Sequence, residues 1–103
     1  MVREIIWSEK AKLDKIEILS YWLNRNKSNL YPKKLNDLFK KAVGWIAVKE
    51  NPARKTDFEN VYVKIVRYYK IFYEIKDDKI FILSIFDTRL DPNRLSSILG
   101  SDK

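Results

Sequence analysis

The sequence predicts an α+β domain: an N-terminal strand, an antiparallel helical hairpin, and a small, mainly antiparallel sheet. The expected order is β-α-α-β-β-β with a short C-terminal helix. Three observations carry this expectation. Between residues 9 and 49, two stretches space their apolar residues three and four apart, and a polar break at Asn24–Asn29 separates them. From residue 61 onward the pattern changes to period two, and then to a nearly continuous apolar run. The chain of 103 residues holds material for one domain, residues 1–103, with one core.

Val2 to Trp7 reads as a short strand of β-branched and aromatic residues. Ser8 offers an N-cap hydroxyl, and Glu9 places negative charge in the first helical turn, where unpaired N–H groups point outward. The first helix is expected from Glu9 to about Asn24, with Ala11, Ile18, Leu19 and Trp22 on one side. Leu13, Ile16 and Leu23 widen the apolar arc beyond one packed face, which implies burial on two sides or a partner surface. The second helix is expected from Leu30 to about Lys49, capped by Asn29, with Pro32 tolerated in its first turn. Its buried stripe is Leu35, Leu38, Phe39, Ala42, Val43 and Ile46, while Lys33, Lys34, Asn36, Lys40 and Lys41 lie elsewhere on the wheel.

Residues 50–60 read as a charged connector. Val61, Val63 and Ile65 alternate on one strand, and Tyr69, Ile71, Tyr73 and Ile75 on the next, with a reversal near Val66-Arg67-Tyr68. Lys76-Asp77-Asp78-Lys79 is a polar hairpin turn, and Ile80 to Phe86 suits a strand covered on both faces. Pro92 to Leu99, closed by Gly100, reads as the last short helix.

Composition narrows the chemistry. There is no cysteine and no histidine, so disulfides, thiol nucleophiles, thiolate metal sites and imidazole acid–base catalysis are excluded. The only glycines are Gly44 and Gly100, so there is no glycine-rich phosphate loop. No metal site and no cofactor are expected. The N-terminus lacks a signal-peptide core and no apolar run is long enough to span a membrane, so a cytoplasmic location is expected. The net charge of +7 suits an anionic partner (nucleic acid, ribosome or an acidic protein) and also serves solubility. Fifteen of the 21 basic residues are lysine, which disfavours recognition by arginine forks.

The candidate site residues lie on the strands. Lys64 and Lys70 occupy successive strands, where a hairpin brings them near one another and an anion between them offsets their repulsion. Arg67 at the reversal, Arg54 and Lys55 in the connector, and Arg89 after the last strand border the same region. Tyr62 and Tyr68 are the tyrosines expected to be open for stacking or partner contact, whereas Tyr69 and Tyr73 belong to the core. The bland reading of the same residues is a solvated sheet face.

The run VYVKIVRYYKIFYEI from Val61 to Ile75, followed by DDKIFILSIFDTRLDPNRL, resembles the RelE/ParE family of type II toxins, as does the opening IIWSEKAKLDKIEILSYW. The likeness covers about residues 2–95 and rests on segment order and a hydrophobic–basic pattern. It implies a toxin held inactive by a cognate antitoxin. One family branch acts with the ribosome as an endoribonuclease on mRNA; the other inhibits DNA gyrase. For the nuclease branch, the resemblance places Lys70 and Lys64, with Arg89, on the scissile phosphate; Arg54, Lys55, Tyr62, Arg67 and Tyr68 are candidates for RNA or partner binding on the pattern of charges and aromatics alone. The chain departs from that branch in having no histidine, and in having Phe86-Asp87 where a terminal His or Tyr is expected. The expectation set by the lysines and the charge is the ribosome-dependent nuclease, with gyrase inhibition by protein–protein binding as the alternative. A non-catalytic interaction module is the third reading.

Overall fold

The computed structural model describes residues 3–48 and 54–88. The elements are β1 (Glu4–Trp7), α1 (Glu9–Asn26), α2 (Leu30–Val48), β2 (Arg54–Lys55), β3 (Val61–Val66), β4 (Tyr69–Lys76) and β5 (Lys79–Asp87). The fold is α+β, as expected: an N-terminal strand, two packed helices and a mixed sheet. One element differs from the sequence reading. Arg54 and Lys55, expected in a connector, form a two-residue edge strand antiparallel to β3. The short helix expected over Pro92–Leu99 lies outside the described residues.

The sheet order is β1-β5-β4-β3-β2. β1 lies parallel to β5, whereas the other neighbours are antiparallel. Each reversal has a local cause. Asp77 and Asp78 both adopt positive φ in the two-residue turn between β4 and β5, the backbone that a tight hairpin needs and that aspartate tolerates. Arg67 takes φ 57° in the turn between β3 and β4, with no glycine to ease it. Lys27 ends α1 in the left-handed conformation and donates its N–H to the Leu23 carbonyl, so the hairpin of helices turns there.

α1 starts where Ser8 places it. The Ser8 hydroxyl accepts from the Ala11 N–H at 3.0 Å and donates to the Leu83 carbonyl at 3.0 Å, while the Ser8 N–H donates to the Ile82 carbonyl at 3.0 Å. A second tie follows within two turns. The Asp14 carboxylate accepts from the fully buried Ser84 hydroxyl at 2.8 Å and from the Ile85 N–H at 3.1 Å. Lys10 closes an ion pair on its outer oxygen at 2.8 Å.

These ties converge on an irregularity in β5. Phe72 pairs with Ser84 and Tyr73 with Ile82, so Leu83 is the extra residue of a bulge. The bulge changes the parity of β5. Ile80 and Ile82 face the helices before it, Ile85 faces them after it, and Phe86 faces away.

The main core lies between the helices and the sheet. It is built from Leu35, Phe39, Ala42, Val43 and Ile46 of α2, Ala11 of α1, and Tyr69, Ile71, Tyr73, Ile80 and Ile82 of the sheet. Trp22 donates its indole N–H to the buried Tyr69 hydroxyl at 2.8 Å, and Phe39 meets the Tyr69 ring edge-on. On the opposite face, Val61, Val63, Phe72 and Phe86 form a smaller cluster, with Phe58 and Leu83 packed on it.

Asp14→Ala leaves two buried donors without an acceptor, so a loss of about 2–4 kcal/mol is expected in urea denaturation. Lys10→Ala, which removes only an exposed pair, should cost about 0.5 kcal/mol or less. Equal losses from the two substitutions would contradict this account. Gly44 is exposed on α2 with nothing within 4 Å of a Cβ added there, so Gly44→Ala should raise stability by about 0.5–1 kcal/mol in the same assay.

Candidate functional site

The pleat of the sheet decides which basic residues can act together. In the antiparallel pair β3–β4, Lys64 pairs with Ile71 and Lys70 pairs with Ile65. Paired residues share a face, and successive residues alternate. Ile71 belongs to the core beneath the helices, so Lys64 lies on the helix side and Lys70 on the other. The expected meeting of Lys64 and Lys70 does not occur. A shift of one residue in register separates two lysines that look adjacent along the hairpin.

Lys64 has a different neighbour. Its Nζ sits 4.0 Å from the ring centroid of Trp45 on α2. This cation–π contact holds the ammonium at the junction of α2 and the β3 edge. The sequence pattern missed it because Trp45 falls beside the buried stripe of α2, not within it.

The remaining candidates divide between the two faces and the hairpin tip. Arg54 pairs with Val63 and shares the Lys70 face; Lys55 pairs with Tyr62 and shares the Lys64 face. Tyr62 is half-buried, its ring 5.8 Å from that of Tyr73, so it is less open than the sequence suggested. Arg67 and Tyr68 are exposed at the tip of the β3–β4 hairpin. The Tyr68 carbonyl accepts from both the N–H and the hydroxyl of Thr88, at 2.9 and 2.8 Å, which ties that tip to the end of β5. Arg89 lies outside the described residues. Tyr69 and Tyr73 are buried, as expected.

A second surface stands out on α1. Leu13, Ile16 and Leu23 are 57%, 59% and 46% exposed, on the side opposite to Ala11, Ile18 and Trp22. With Ser20 between them, they form a narrow stripe at alternating spacings of three and four, the pattern that another helix packs against. Beside its N-terminal end, Trp7, Lys12, Lys15 and Ile16 line a groove of about 360 Å³. Lys15 lies over the Trp7 ring at 5.0 Å. The wide apolar arc legible in the sequence is thus an outward-facing surface, with lysines along one flank.

The chain is thus an α+β domain with a helical hairpin on one face of its sheet, an exposed apolar stripe on α1 and a scattered set of cations. The family model described as the ParE toxin of the type II toxin–antitoxin system, parDE, matches residues 5–92, and the chain belongs to that family. A chain in the solved structure of a chromosomal ParDE toxin–antitoxin system from P. aeruginosa has the same fold. It aligns with a TM-score of 0.74 and 16% identity, over 84% of this chain and 96% of that one. No curated protein matches the chain. Among the described residues, no helix is long and apolar enough to cross a membrane.

Membership of the ParE family overturns the expectation of a ribosome-dependent endoribonuclease. The geometry agrees with the correction, because the two lysines expected on one scissile phosphate point away from each other across the sheet.

Replacing Lys64 with Met keeps an apolar stem over Trp45 but removes the charge. A loss of about 0.5–1 kcal/mol is expected, with a clear move of the Trp45 indole resonance in ¹⁵N–¹H spectra. Lys70→Met should leave that resonance where it is. Tyr69→Phe takes the acceptor from the Trp22 indole and should cost about 1–2 kcal/mol by thermal denaturation.

Proposed function

We propose that this chain is the toxin of a type II pair that acts by binding DNA gyrase and blocking it, and that its cognate antitoxin is a ParD-type protein. The observation that carries this reading is the match of the ParE family model across residues 5–92. The side-chain chemistry is compatible with it. A protein that inhibits by binding needs an accessible, complementary surface and has no need for clustered acid, base and phosphate-holding groups. The stripe of Leu13, Ile16 and Leu23, with the groove beside Trp7, is such a surface.

The antitoxin is expected to bring an amphipathic segment to the α1 stripe, with acidic residues toward Lys12 and Lys15. A segment that is disordered alone and folds on this stripe would cover it fully while remaining open to removal by proteolysis.

The test is supercoiling of relaxed plasmid by purified gyrase with increasing amounts of the chain, alongside a translation reaction in which message integrity is followed. The expected result is dose-dependent loss of supercoiling with intact message, and recovery when antitoxin is added first. Undiminished supercoiling at a large molar excess of folded protein would refute the gyrase reading. Leu13→Glu with Leu23→Glu puts charge on the stripe without touching the core, and should weaken antitoxin binding at least tenfold by calorimetry. Unchanged affinity would place the antitoxin elsewhere.

A further inference from the structure

The outward face of α2 is organised differently from the α1 stripe. Lys33, Lys34, Lys40 and Lys41 are all exposed, and among the described residues none forms an ion pair. Residues seven apart share a helix face, so Lys33 stands in line with Lys40 and Lys34 with Lys41, each pair about 10.5 Å apart along the axis. Trp45 follows Lys41 by one turn and carries the Lys64 ammonium on its ring. Lys55 shares the Lys64 face through its pairing with Tyr62. The lysines therefore continue from α2 onto the β2–β3 edge as one basic band, with Asp37 the one carboxylate among the α2 lysines.

We propose that this band binds the phosphate backbone of duplex DNA without reading its sequence. A step of about 10.5 Å corresponds to about three phosphates of one strand at 3.4 Å of axial rise each. Lysines act as point charges on phosphates and lack the planar fork that arginine offers to a base edge, so the band positions DNA and does not select a sequence. Gly44, exposed one turn past Lys40 with open space above it, lets a rod-like partner approach the helix backbone. An acidic protein fits less well. Protein interfaces centre on apolar anchors, whereas the exposed apolar residues of this face, Leu30 and Val48, stand at its two ends. Binding at this band does not depend on gyrase, so the two readings stand or fall separately.

The test is fluorescence anisotropy of a labelled 20-base-pair duplex with the purified full chain, from 50 to 200 mM salt. Affinity is expected to fall with a log–log slope of about −4 to −5, as release of counterions from four to six phosphates requires. Substituting Lys33, Lys34, Lys40 and Lys41 together by Gln should weaken binding at least tenfold and flatten the slope by about 3, with an unchanged circular dichroism spectrum. Substituting the exposed Lys12, Lys27, Lys76 and Lys79 by Gln removes the same charge elsewhere and should weaken binding less than threefold. Equal losses from the two sets would reduce the effect to net charge and overturn the proposal. Poly-glutamate that displaces the duplex charge for charge would also overturn it, by assigning the face to an acidic protein.

Discussion

Everything in this fold depends on how the start of α1 is fastened to the bulge of β5. A helix that crosses a sheet is free to slide unless something polar fixes its position, because apolar burial is non-directional. Here Ser8 and Asp14 supply the fixed points. Ser8 engages the Ile82 and Leu83 backbone while capping the helix, and Asp14 takes the Ser84 hydroxyl and the Ile85 N–H two turns later. The polar groups freed by the bulge find their partners on α1, and the helix gains a single position on the sheet. With α1 fixed, the Leu13–Leu23 stripe must face outward, since Ala11, Ile18 and Trp22 already occupy the inner side.

The same bulge allocates side chains to the two faces of the sheet. Without it, Ile85 would turn away from the helices and Phe86 toward them. With it, Ile85 completes the main core and Phe86 joins Val61, Val63 and Phe72 on the opposite face. A nearly uniform apolar strand can therefore serve two clusters of different composition. The sheet is held at one end by β1, which pairs parallel to β5, and its other edge is closed by only two residues, Arg54 and Lys55. A short, charged edge strand resists unwanted pairing with other chains.

The exposed apolar and charged side chains of this family member gather on different helices. The α1 stripe offers apolar area, whose desolvation is the dominant driving force for protein–protein contact, with lysines on one flank. The outer face of α2 offers charge with little apolar area. Trp45 links this charge to the sheet by holding Lys64 at the helix–strand junction.

Much of this was legible in the sequence. The spacing of Leu35, Phe39, Ala42, Val43 and Ile46 named the buried side of α2, and Ser8 marked the start of α1; the excess of Leu13, Ile16 and Leu23 allowed burial on two sides or an open surface, and the packing left it open. These are local signals, set by helical periodicity and by the hydrogen-bonding of a capping hydroxyl. The register of β3 against β4, the bulge at Leu83 and the strand formed by Arg54 and Lys55 were decided by the tertiary structure. Each depends on partners distant in the chain, and a shift of one residue exchanges the two faces. That is why Lys64 and Lys70 read as neighbours in the sequence and stand on opposite sides of the sheet. It is also why Lys64 belongs with Trp45 and the α2 lysines, a grouping that only the packing of helix on sheet could make.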